Sequence, residues 1–199
     1  MNDRWRLYTI PILKEENYRW SDSWTSISDV GRMFHGREFT FDDYCKTEQA
    51  YIRFLTSLFE YLHAQKIKLV HLEVYDDYPP LPMYDQDGVL RKWHNKIFNN
   101  MSLTLEEIQY IVPLILRENA WGTLYHKRTK TYIHFGYDYY VYVNSPKFYF
   151  IYKEKAFFNT IIDKFASLNG LFVEYESIQI TQKMNEEEYA NFIEQECNT

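Results

Sequence analysis

The segment from residue 131 to residue 143, TYIHFGYDYYVYV, constrains the fold more than any other stretch of the chain. Alternate residues of a β-strand face the same side of a sheet. If the segment is one strand, one side is almost wholly apolar, and the other carries tyrosines together with His134, Gly136 and Asp138. The apolar side is expected to face the core, so we predict that this segment is the central strand of a sheet.

The rest of the chain switches repeatedly between helical and strand periodicity. Strands are predicted at 5–13, 66–77, 121–127, 131–143, 148–153 and 171–180, and helices at 43–65, 90–100, 103–119, 154–170 and 185–196. Residues 14–38 are predicted to form a long loop that can include a short helix. Pro11 indicates an edge position for the first strand, and Pro113 is expected to kink or divide its helix. Thr104 and Glu107 have the spacing of a capping box.

Helix-linked strands combined with a meander of three consecutive strands are typical of an α+β fold. No Pro/Gly/Ser-rich linker divides the 199 residues, which therefore predict one domain over 1–199. The expected sheet is mixed or mainly antiparallel, with about five to six strands and helices packed on it.

Composition narrows the functional classes. The formal net charge of −6 disfavours a nucleic-acid partner and favours a basic protein. The first ten residues lack the apolar run of a signal peptide, and no long apolar run follows, so a cytoplasmic protein without membrane contact is predicted. In that compartment Cys45 and Cys197 are expected to be free thiols.

The histidines and carboxylates form no recognisable catalytic or metal-binding motif. His134 and Asp138 would lie about 13 Å apart on one strand, too far for a hydrogen bond unless a bulge at Gly136 changes the spacing. The histidines have no metal-ligand spacing, and no phosphate-binding loop occurs, so neither a metal nor a cofactor is predicted. An alternative hypothesis is a small hydrolase or transferase that uses His134 and Asp138 with partners from other elements.

An acidic, aromatic stretch lies between Lys68 and Arg91, where no lysine or arginine interrupts the carboxylates. Three prolines at 79, 80 and 82 disfavour regular structure there, so the stretch is a surface loop. It is either a solvated loop or a recognition surface, on which tyrosines provide contact area and carboxylates attract a basic partner. Together with the polar side of the 131–143 segment it gives the predicted partner-binding residues: Tyr75, Asp76, Asp77, Tyr78, Tyr84, Asp85, Asp87, His134, Asp138 and Tyr140.

The pair of segments WGTLY, residues 121–125, and YIHFGYDYYVYV, residues 132–143, in an acidic and tyrosine-rich α+β chain resembles immunity proteins of bacterial polymorphic toxin systems, including those of contact-dependent inhibition. This resemblance implies a cytoplasmic, non-enzymatic protein that binds the toxic C-terminal domain of a cognate toxin and blocks its activity. It identifies no binding residues, because such proteins share no fixed binding motif.

Overall fold

The computed structural model describes residues 10–14, 23–75, 84–85, 87–136, 139–144 and 155–174. The predicted strand at 148–153 and the predicted helix at 185–196 lie outside these ranges. No helix in the described ranges is both long and apolar enough to cross a membrane.

Nine strands and four α-helices are present in the described part of the chain. The strands are β1 (Ile10–Leu13), β2 (Met33–Phe34), β3 (Arg37–Glu38), β4 (Ile67–Val74), β5 (Met101–Leu103), β6 (Ala120–His126), β7 (Thr131–Phe135), β8 (Val141–Asn144) and β9 (Phe172–Val173). The helices are α1 (Phe41–Tyr61), α2 (Val89–His94), α3 (Ile108–Leu116) and α4 (Lys155–Leu168).

Seven of these strands form one sheet in the order β5-β4-β6-β7-β8-β1-β9, and every described pairing in it is antiparallel. The predicted α+β class is confirmed. The three consecutive antiparallel strands that the structure describes are β6, β7 and β8, whereas the third strand of the predicted meander, 148–153, lies outside the described residues. The sheet has more than the predicted five to six strands, because the segment 131–143 contributes two strands, β7 and β8, and because the unpredicted strand β5 joins the sheet.

The main hydrophobic core of the described residues lies between one face of the sheet and the helices. From α1, Tyr51, Phe54 and Leu58 are completely buried against the sheet residues Ile133 and Val141. Their spacing of three and four residues gives α1 one apolar face, and Thr40 caps its first turn by accepting a hydrogen bond from the Asp43 amide. The prediction of a helix over 43–65 is therefore confirmed, with its start at residue 41 and its end at residue 61.

The prediction that 131–143 is one strand is wrong. The segment is a hairpin: β7 ends at Phe135, β8 begins at Val141, and these two residues pair with each other across the ladder. The Gly136 amide donates to the Tyr140 carbonyl at 2.7 Å, which closes the turn. Five residues, 136–140, separate the paired strand ends, and an odd number keeps the alternation in phase. For this reason the apolar side is still correctly predicted in both strands, and β7 is indeed the middle strand of the sheet.

Three further predictions need correction. β1 is not an edge strand, because it pairs with β8 at residues 10–12 and with β9 at residues 12–13. The helix predicted at 103–119 begins only at Ile108, after the short strand β5, and continues through Pro113. The predicted capping box nevertheless exists, since the Thr104 amide donates to Glu107 Oε2 at 2.8 Å and the Glu107 amide donates to Thr104 Oγ1 at 3.3 Å. The predicted loop over 14–38 contains the small hairpin of β2 and β3.

Replacement of Gly136 by alanine should destabilise the β7–β8 hairpin. A Cβ at this position would lie 2.8 Å from Tyr142 Cε2 and 3.3 Å from Tyr140 Cβ, so the Tyr142 ring would have to move. Overpacking of this kind costs about 1–3 kcal/mol of unfolding free energy. Urea denaturation of Gly136→Ala, Tyr142→Ala and the double variant measures the coupling. An equal cost of Gly136→Ala with and without the Tyr142 ring would contradict this explanation.

Candidate partner-binding site

The acidic segment, residues 75–88, leaves the sheet at the end of β4. Glu73, Val74 and Tyr75 are exposed there, and the Tyr75 hydroxyl donates to Glu73 Oε2 at 3.3 Å. The backbone at this point is fixed on two sides. The Tyr75 amide donates to the Asn119 carbonyl at 3.0 Å, and His94 Nε2 lies 3.2 Å from the Tyr75 carbonyl oxygen. Tyr75 therefore presents an aromatic side chain to solvent from a fixed main chain.

The acidic segment returns to the fold at Tyr84 and Asp85. The Tyr84 ring stacks on Phe41 with centroids 4.9 Å apart, and its carbonyl accepts a hydrogen bond from Arg117 Nη1 at 2.6 Å. The Asp85 carboxylate accepts the Leu90 amide at 3.0 Å and the Arg91 amide at 2.7 Å, both in the first turn of α2. Asp85 thus satisfies amides that the helix itself cannot. Tyr84 and Asp85, both predicted partner contacts, act as anchors of the segment in this structure.

The other four predicted contact residues between Tyr75 and Gly88 are not anchors in the described structure. Asp87 is exposed, and its Oδ1 accepts the Val89 amide at 3.2 Å. Asp76, Asp77 and Tyr78 lie outside the described residues.

Arg117 can hold Tyr84 because it is itself held by a buried ion pair. Its Nε and Nη2 donate to the two carboxylate oxygens of Glu48, each at 2.7 Å, and Glu48 is only 1% exposed. The guanidinium carbon lies 5.3 Å from the centre of the Phe41 ring. Burial by itself lowers the pKa of Arg117, but the hydrogen bonds and the charge of Glu48 raise it above its ordinary value, so the pair stays ionised.

Removal of either member of the ion pair should strongly destabilise the protein. Arg117→Met leaves Glu48 as a buried charge without its partner, which costs roughly 3–5 kcal/mol of unfolding free energy. The double variant Glu48→Leu, Arg117→Met removes both charges and should be more stable than Arg117→Met alone. Urea denaturation of the three proteins tests this order, and a double variant less stable than the single one would contradict it.

A tyrosine that sequence reasoning did not select holds the turn between β7 and β8. Tyr139 has a positive φ of 63°, which is uncommon for a bulky residue, and its side chain is buried. Its ring meets those of Trp24, Tyr44 and Tyr51 edge-on, with centroids 4.9, 5.4 and 5.6 Å away. The Tyr51 hydroxyl donates to the Tyr139 carbonyl at 2.9 Å. The only sequence signal was the density of tyrosines, which does not distinguish a turn anchor from a strand residue.

The acidic segment and the β7–β8 turn lie at the same end of the sheet. Val74 at the end of β4 pairs with Ala120 at the start of β6, and Thr123 of β6 pairs with His134 near the end of β7. With β6 between them, β4 and β7 are two strand spacings apart, about 10 Å. Contacting rings also connect the two segments, from Tyr84 through Phe41 and Tyr44 to Tyr139.

His134 lies on the sheet face opposite the core and is exposed. Its Nδ1 is 2.9 Å from Thr123 Oγ1, and its ring stacks on Tyr132 at a centroid distance of 6.3 Å. Desolvation by the sheet face and, secondarily, the nearby His71 lower its pKa. Among the described residues no carboxylate forms a hydrogen bond or an ion pair with His134.

The remaining predicted residues of this face do not complete a catalytic arrangement in the ranges that the structure describes. Asp138 lies outside those ranges, so the hydrolase or transferase alternative stays a prediction. Tyr140 was expected on an exposed face but is only 8% exposed, and its ring stacks on Tyr142 at 6.0 Å. Tyr140 therefore packs inside the β7–β8 turn. The part of the chain that is described contains no cluster of three or more His, Cys, Asp or Glu residues that could hold a metal ion.

The lowered pKa of His134 predicts a defined pH dependence of stability. Its folded-state pKa lies below the ordinary value of 6.5, so folding releases a proton when the pH lies between the two values. The free energy of unfolding should then rise with pH toward 6.5, and the gain should be complete above it. Urea denaturation of wild type and His134→Gln between pH 5 and pH 8 isolates this contribution as the difference between the two curves. Parallel curves would show that His134 does not contribute.

Comparison with known proteins assigns no family to this arrangement. No protein-family model matches the chain, and no curated protein or solved structure matches it significantly. Function is therefore inferred from the contacts of the chain itself.

Proposed function

We propose that this chain is a non-enzymatic immunity protein that binds and neutralises a cognate bacterial toxin domain in the cytoplasm. The acidic segment is the main contact surface, and the neighbouring β7–β8 turn is the second. The observation that carries the proposal is the anchoring of the acidic segment at both ends: by Arg117 on the Tyr84 carbonyl and by Asn119 on the Tyr75 amide. A loop with only a solvating role does not require a buried ion pair to hold it.

Anchoring favours binding because it reduces the conformational entropy that a loop loses on association. Tyr75 is 38% exposed and Val74 is 38% exposed, so both aromatic and aliphatic surface is available beside the carboxylates. Tyrosine and carboxylate together suit a partner whose surface is basic and partly apolar. A nuclease toxin has such a surface where it binds its phosphate-rich substrate, and the acidic segment would occupy that surface in place of the substrate.

The partner is expected to be encoded beside this chain. Co-expression of the chain with the product of the adjacent reading frame should yield a complex on affinity purification and should rescue cells from that product. The variant Tyr75→Ser should dissociate faster, because it removes the aromatic contact and leaves the backbone anchors in place. Absence of both binding and rescue for every neighbouring gene product would exclude the immunity function.

Removal of charge from the acidic segment should slow association more than dissociation. The triple variant Asp76→Asn, Asp77→Asn, Asp87→Asn spares Asp85, whose carboxylate is needed to cap α2. We expect the association rate to fall by about tenfold at low salt and its salt dependence to become flatter.

A matched control separates local charge from net charge. Glu38→Gln, Glu60→Gln, Glu106→Gln removes the same number of charges from exposed positions elsewhere. Surface plasmon resonance at several salt concentrations compares the two triple variants. Equal association rates in both would remove the acidic segment from the interface without touching the immunity function itself.

A further inference from the structure

Positive charge is concentrated at the end of the sheet opposite the acidic segment. β4 begins there, and the turn between β6 and β7 lies beside it, since Lys68 pairs with Tyr125 and Tyr125 with Tyr132. Five cations occupy this basic end: Lys66, Lys68, Lys127, Arg128 and Lys130. No aspartate or glutamate occurs in residues 61–72 or 119–137, the segments that contain the start of β4 and the β6–β7 turn.

Among the described residues, the lysines of the basic end differ from five other cations in that they form no ion pair. Arg32, Arg37, Lys46, Lys96 and Arg117 each form an ion pair with a carboxylate. Within the described residues no ion pair is formed by Lys66, Lys68, Lys127 or Lys130. Lys66 and Lys127 are exposed, and the other two are half-buried. Of the carboxylates that follow the neighbouring strand β5, Glu107 is already engaged by Lys96 at 3.8 Å.

Buried side-chain contacts support the turn between β6 and β7, which carries Lys127, Arg128 and Lys130. His126 Nδ1 lies 2.7 Å from Thr129 Oγ1, and Thr129 Oγ1 lies 2.8 Å from Thr131 Oγ1. All three side chains belong to buried residues. Lys130 has a positive φ of 51°, which the turn requires. A chain of buried polar contacts therefore holds Lys127, Arg128 and Lys130 in one arrangement.

We propose that the basic end binds the phosphodiester backbone of nucleic acid without reading its sequence. Neutralisation of phosphates by several unpaired lysines releases counterions, which is the main source of non-specific affinity. Base recognition is not expected, because Tyr125 and Tyr132 are buried and stack on each other at 4.5 Å. The net charge of −6 does not exclude such a partner, because phosphate contact depends on local charge and the basic end carries five cations. This inference does not rest on the proposed toxin binding.

Fluorescence anisotropy with a labelled 20-nucleotide single strand and the same sequence as a duplex tests the basic end. Micromolar to sub-millimolar binding is expected near 20 mM salt, and about four phosphate contacts would give a log–log salt slope near −3 for the single strand. Lys66→Gln, Lys127→Gln, Lys130→Gln should weaken binding by at least about tenfold and reduce the slope to about −1. The control Lys46→Gln, Lys92→Gln, Lys164→Gln removes the same charge from other exposed sites and should change the affinity by less than about threefold.

Three results would overturn the proposal. These are no binding to either nucleic acid near 20 mM salt, equal loss of affinity in both triple variants, and displacement of the nucleic acid by polyglutamate at equal charge concentration. The last result would show that the basic end binds acidic protein instead. Circular dichroism verifies that each variant is folded, so that lost binding is not lost structure. None of these outcomes depends on the acidic segment or on the toxin, so this proposal and the immunity function can fail separately.

Discussion

The buried ion pair of Glu48 and Arg117 is the interaction on which the functional end of the molecule depends. Burial of two charges costs several kcal/mol, and this cost is offset only when every polar atom is engaged. Two guanidinium nitrogens bind Glu48 and the third binds the Tyr84 carbonyl, so the requirement to satisfy Arg117 is met by the main chain of the acidic segment. One interaction thus joins α1, the end of α3 and the return of a loop that the sheet does not stabilise directly.

Aromatic packing extends this organisation to the β7–β8 turn. Tyr44 lies between the two segments: its ring contacts Phe41 and Tyr139, and its hydroxyl donates to the Leu116 carbonyl at 2.8 Å. Tyrosine suits this position because it fills the core with a large ring and still satisfies a buried carbonyl. The abundance of tyrosine therefore has a structural origin as well as the proposed role at the surface, and Tyr139 and Tyr140 belong to the structural group.

The periodic parts of the fold were predictable because their signal is local. The helix α1 and the strands β4, β6 and β7 follow from apolar spacing alone. The hairpin at 131–143 was missed because the alternation of apolar residues continues in phase through 136–140, and Gly136 and Asp138 alone did not indicate a turn. The turn is stabilised instead by the contacts of Tyr139 with α1, which are distant in sequence. The acidic segment was recognised from its charge, but the capping role of Asp85 depends on amides that approach only once α2 is formed.

The α+β class, the apolar side of each central strand and the presence of an acidic, aromatic loop follow from composition and alternation, which encode these features directly. Strand order and long-range packing decide which residues of that loop are anchors, place the loop and the β7–β8 turn at one end of the sheet, and bring five cations together at the other. These features depend on strand order and on contacts between residues far apart in the chain. No local pattern carries that information, since strand order is selected by the packing of the whole core.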